Sequence, residues 1–335
     1  MKFAVVLEDV VQVPASSDSP PRARINFLFH AGDGSHRLFV NDMTGKIYVI
    51  RDGHVLPQPF LDMAIARKGS FTSTDLFEQG LNTFAFHPDF ARGSRPGSGK
   101  LYTFSTETPQ SGIADFPTPD AAGGVDHHDV VAEWSIDPAN PNRIDPSSRR
   151  EILRIAHPLH DHVGGQLGFN PNAKPGQSEY GLLYIGVGDG GNTIFRTGKV
   201  DAWRTAQNLL GPLGKILRIN PLQDGRWKYG VPPGKAGKYF FGDIASGRVF
   251  FTNVDQLANG KAAPFFELPL IYSGKQQSLR EIMHADRADL RFGQDELGEI
   301  YLLTKQDGVI RKLARSVETE STILPVDHPV GSLNK

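Results

Sequence analysis

The sequence predicts an all-β protein of the β-propeller type, and three observations carry the prediction. One hairpin pattern recurs five times along the chain. Glycine and proline are abundant, 36 and 24 among 335 residues, which suits a turn-rich fold. Helix signals are few and short. The recurring unit is an apolar strand, a polar turn with glycine, then a second strand. Repetition of one hairpin suggests a ring of packed blades, each a small antiparallel sheet. A β-sandwich of similar hairpins is the competing architecture, but sandwiches rarely repeat one pattern so often.

Taken in order, residues 1–10 read MKFAVVLEDV. The apolar run is short and meets Glu8 and Asp9, so it reads as a first strand and not as a signal peptide. The five hairpins follow at 36–53, 99–137, 181–221, 237–253 and 298–313, with period-2 alternation inside them. Short helices are expected over 60–67 and 279–287, and a single turn over 205–210. Long insertions at 92–99, 109–128, 170–180 and 191–205 have the size of functional loops. A single propeller domain over 1–315 is expected, with a polar tail over 316–335 that carries Pro325 and Pro329. Net charge is −1 with no basic run, which argues against a nucleic-acid partner. No run approaches the ~18 apolar residues of a membrane span. The lack of cysteine excludes disulfides, thiolate metal sites and cysteine nucleophiles.

The chemistry concentrates in residues 157–192, HPLHDHVGGQLGFNPNAKPGQSEYGLLYIGVGDGGN. LLYIGV reads as a half-buried strand, and GDGG permits the tight turn that ends it. His157, His160 and His162 surround Asp161. In an extended segment His160 and His162 would share one side. Three readings stand: a general base, since imidazole titrates near neutrality; a metal site shared by His160 and His162; or a solvated loop. The run Asp126, His127, His128, Asp129 is a candidate partner cluster. Gly186, Gly188 and Gly191 match a dinucleotide fingerprint in spacing, but no helix follows convincingly and no βαβ rhythm surrounds them. Gly80 permits a close loop approach beside Glu78, and Arg287 and Arg291 are candidates to clamp a carboxylate.

Together FAFHPDF, HDHVGGQLGFN, LLYIGVGDGG, AQNLLGPLGKILRINP, YGVP and KYFFGDIASGR resemble the glucose/sorbosone dehydrogenase family. This family includes the soluble PQQ-dependent glucose dehydrogenases and aldose sugar dehydrogenases. The resemblance implies a six-bladed-type β-propeller that binds pyrroloquinoline quinone (PQQ) with calcium. It implies oxidation of the C1 hydroxyl of an aldose, with hydride passing to the quinone and on to an external electron acceptor. His162 matches the family's base, with Asp161 beside it to orient it. Glu78, Asp189, Arg291 and Arg287 fall where the family contacts the cofactor. The chain departs after Tyr229-Gly230-Val231-Pro232, passing from Pro233-Gly234-Lys235 almost directly to KYFFGD. That departure implies the loss of about one blade, with the usual calcium loop and several quinone-clamping cations. Five hairpins agree with it, and an unclosed ring implies self-association. A different class of function also stands, a non-catalytic propeller that binds a carbohydrate or a protein. Family members are usually exported, which implies a periplasmic or secreted protein, although the sequence as written shows no signal.

Overall fold

The computed structural model describes residues 4–74, 78–118, 124–171, 173–177, 180–191, 203, 205, 211–222, 238–253, 264–294 and 300–317. The described residues are mostly β-strand, and all five repeated hairpins form. The protein has a β-propeller fold of mostly antiparallel sheets. The chain divides into two compact units. One comprises residues 1–23, 230–292 and 299–335, the other 24–229 and 293–298.

The larger unit begins with strands Ile25–His30, Leu38–Asp42, Lys46–Arg51 and His54–Val55, each antiparallel to the next. A second sheet follows, from Leu81–Phe86, Lys100–Glu107, His127–Asp137 and Asn140–His157. The third has Gly164–Phe169, Leu183–Val187 and Ile216–Ile219. The second sheet is apolar on both faces because it packs against both neighbours. Ala132 and Trp134 join Phe39, Phe60 and Phe84 on one side. Val131, Tyr102 and Phe104 join Leu167, Leu183 and Ile185 on the other. The run VVAEW is thus read alternately by two cores, which is why it is nearly continuous in apolar residues.

In the smaller unit, Lys238–Gly242, Val249–Asn253 and Phe266–Glu267 form an antiparallel sheet. The hairpin Ile300–Thr304 and Val309–Val317 pairs through its second strand with Ala4–Gln12. Ala4–Gln12 also runs parallel to Leu270–Tyr272. Val5, Leu7, Phe251, Leu270, Leu290 and Leu302 share one core. The pairing Ala4 with Val317 and Val5 with Ser316 carries regular structure past residue 315, where the sequence suggested a polar tail.

The two expected helices are present and shorter than expected. Met63–Ala66 is capped by Asp62, and Leu279–Met283 opens on a capping box of Ser278 and Glu281. Residues 206–210, the departure at 229–235 and the tail beyond 317 lie outside the described residues. Among those described, no helix is long and apolar enough to cross a membrane.

Candidate functional site

Two loops, 158–163 and 188–191, meet beside the third sheet of the larger unit. The first carries His162 and leads into the strand Gly164–Phe169. It is bent, not extended: residues 158–161 form bends, and His162 takes a left-handed backbone with φ 55°. The alternation that would place His160 and His162 together therefore does not apply. The second loop leaves the strand Leu183–Val187 and carries Asp189. Gly188 lets the two loops touch, since a β-carbon there would lie 1.5 Å from the His162 carbonyl oxygen. The Gly188 amide donates to the Val163 carbonyl at 3.1 Å and fixes this approach.

The contact that results is between His162 Nδ1 and Asp189 Oδ1 at 2.9 Å. The His162 side chain is 43% exposed. Asp189 also accepts from the Gly191 amide at 3.1 Å, so its carboxylate is held from two directions. Asp161, expected to orient His162, instead pairs through Oδ1 with His160 Nε2 at 3.1 Å. The left-handed turn separates the adjacent side chains, and the orienting carboxylate comes from 27 residues downstream. Glu78 Oε2 accepts from the Val163 amide at 3.0 Å, so it braces the chain immediately after His162. Arg287 and Arg291 belong to the smaller unit. Arg287 is exposed and pairs with Asp289 at 2.5 Å, while half-buried Arg291 donates to the Leu290 carbonyl at 2.9 Å.

Behind the His162 loop lies a buried polar cluster. The strands His127–Asp137 and Asn140–His157 pair so that His157 stands opposite His127. Asp129 follows His127 by two residues and shares its face. His157 Nδ1 meets Asp129 Oδ2 at 2.7 Å, and His127 Nε2 meets Asp129 Oδ1 at 3.2 Å. The two imidazoles stack 4.6 Å apart. His127 Nδ1 faces Asp126 Oδ1 at 2.9 Å; Gln79 donates to the same carboxylate, and its amide nitrogen lies 2.9 Å from that ring nitrogen. His157 Nε2 faces the Asp161 carbonyl at 3.2 Å. Burial pulls the His127 imidazole down, but Asp126 and Asp129 outweigh it and hold it up at about 9. Burial raises Asp129, yet the two histidines leave it below its ordinary value.

The sequence flagged the 126–129 run and His157 separately. What it lacked was the register that joins them. It also missed the cluster on Glu107, which binds Arg67, Arg149 and Arg154. The four residues are scattered over 67–154, and no local pattern links them.

No family model matches the chain. Mouse Hedgehog-interacting protein is 31% identical over 192 residues, which are 57% of this chain and 23% of that protein. The chain thus spans about a quarter of the length of that relative. A solved glucose dehydrogenase aligns over 92% of this chain and 99% of its own, with TM-score 0.53 and 14% identity. The soluble aldose sugar dehydrogenase of Escherichia coli aligns over 93% and 99%, with TM-score 0.52 and 12% identity. The chain has the soluble glucose/sugar dehydrogenase-like fold.

Proposed function

We infer that this chain, with the fold of the soluble sugar dehydrogenases, is an oxidoreductase that removes hydride from the C1 hydroxyl carbon of an aldose. The observation that carries this reading is the exposed His162 oriented by Asp189 at 2.9 Å. The Asp189 carboxylate accepts the Nδ1 proton, which leaves Nε2 as a proton acceptor. A substrate hydroxyl proton passes to Nε2, and Asp189 stabilises the imidazolium that forms. Glu78 holds the Val163 amide and so keeps the His162 loop in place during that transfer.

PQQ, when bound, supplies a two-electron hydride acceptor that an external acceptor reoxidises. The donor set around His162 fits the proton half of this chemistry. Glu78, Asp161 and Asp189 are acidic and do not suit a tricarboxylate, which calls for cations. Calcium accompanies the quinone in this reading.

The test is quinone titration with calcium, followed by dye reduction with a panel of aldoses. Saturable binding and turnover are expected, with His162→Gln lowering kcat by about 10²–10⁴-fold and Asp189→Asn impairing it through the wrong ring tautomer. No binding at millimolar quinone would overturn the reading. A second reading would then stand, a non-catalytic propeller that binds a protein or carbohydrate. It draws on the higher sequence identity to Hedgehog-interacting protein.

A further inference from the structure

We propose that His127, Asp129 and His157 form a buried site for one divalent transition-metal ion of the zinc class. Each residue offers one ligand atom, and these atoms all lie within 4.8 Å of one another. All three residues are at most 1% exposed. Strand pairing gathers them: His127 and His157 are cross-strand partners, and Asp129 is the next residue on the same face. The scaffold is therefore two adjacent strands of one sheet, which is rigid enough to hold a ligand set.

The orientation of the rings is the stronger observation. His127 directs Nε2 and His157 directs Nδ1 at the same carboxylate. Their outer nitrogens face Asp126 Oδ1 and the Asp161 carbonyl. Metal-binding histidines are held in this way, with the outer N–H given to a carboxylate or a backbone carbonyl. With each outer nitrogen so placed, the inner nitrogen is the one an ion would take. The two rings stack 4.6 Å apart, with ligand atoms of all three residues within 4.8 Å of one another.

Two imidazoles and one carboxylate suit zinc, cobalt(II) or nickel(II). Calcium and magnesium prefer all-oxygen shells. Ligand atoms on a tetrahedral zinc stand roughly 3.3 Å apart, given bond lengths of about 2.0–2.1 Å. His127 Nε2 lies 3.2 Å from Asp129 Oδ1 and His157 Nδ1 2.7 Å from Asp129 Oδ2, and one ligand atom from each residue lies within 4.8 Å of the others, a span that ion binding would close. The site is independent of sugar oxidation, but the Asp161 carbonyl that braces His157 directly precedes His162. An ion here would tighten the base-bearing loop.

Because the ligands are buried, the ion must be supplied during folding. The chain is produced with zinc, passed over a chelating resin, and its metal content measured by mass spectrometry. A second sample is refolded with cobalt(II) and read by its visible absorption. Near-stoichiometric zinc, a cobalt spectrum of nitrogen and oxygen ligation, and a raised melting temperature are expected. His157→Ala and Asp129→Asn should abolish uptake, and Asp126→Asn should weaken it about 10–100-fold. His160→Ala, which lies outside the cluster, should retain it. Wild-type protein without zinc and without a cobalt spectrum overturns the proposal, whether or not the variants fold. Uptake that survives both His157→Ala and Asp129→Asn overturns it too, because the ion then sits elsewhere.

Discussion

Glu107→Gln should cost stability at neutral pH and cost almost nothing in strong acid. The Glu107 side chain is fully buried and accepts from Arg67 Nε at 2.8 Å, Arg149 Nη2 at 2.9 Å and Arg154 Nη2 at 2.7 Å. Burial raises its carboxyl, but the hydrogen bonds of Arg67 and Arg154 and the charge of Arg149 bring it from 4.5 down to about 2. A depressed carboxyl stabilises the fold above its unfolded value, and that contribution drains away as pH falls from about 4.5 to about 2. At 1.36 kcal/mol per unit, the displacement is worth about 3 kcal/mol at pH 7. Leaving buried guanidinium groups short of a partner gives a similar figure, about 3–5 kcal/mol. The assay is urea unfolding of the wild type and variant between pH 7 and pH 2.5. The gap should be about 3 kcal/mol at pH 7 and shrink steadily below pH 4.5. A variant within ~0.5 kcal/mol of wild type at pH 7, or a gap that does not narrow in acid, would refute the assignment of Glu107 as a buried carboxylate held by arginines.

Trp134 fills the core between the first two sheets of the larger unit, and its indole donates to Thr103 Oγ1 at 2.9 Å. Trp134→Ala should lower stability by about 3–5 kcal/mol, read from the urea midpoint, with Trp134→Phe costing less. Gly188→Ala places a methyl group against the His162 carbonyl and should cost about 1–3 kcal/mol while displacing the His162 loop. Faster amide exchange at Val163 and Gly188 would report that displacement. In the sugar assay, Gly188→Ala should reduce turnover more than it raises KM, because it moves the base and spares the remainder of the surface.

The hairpins were legible because their information is local. Alternation in KIYVIR and VVAEW, and glycine at the turns, settle strand and turn over a few residues. The propeller followed from repetition of that local pattern. His162 was legible as a candidate through the resemblance of Asp161-His162-Val163-Gly164-Gly165 to the family's base motif, while its spacing alone left a base, a metal site and a solvated loop open. Its partner was not. Sequence adjacency favoured Asp161, but a left-handed residue at 162 sends Asp161 to His160 and brings Asp189 to the ring.

The sequence by itself determined the all-β class, the hairpins and the residue types available for proton transfer. Only the tertiary structure decided which of them meet. His157 joins His127 and Asp129 through strand register, where a slip of one residue would send each side chain to the opposite face. Glu107 gathers arginines 40, 42 and 47 residues away. Such groups are brought together by the packing of sheets whose apolar faces must be covered, and polar residues buried in that process must find partners or pay for desolvation. Those pairings depend on the whole fold, so no window of sequence contains them.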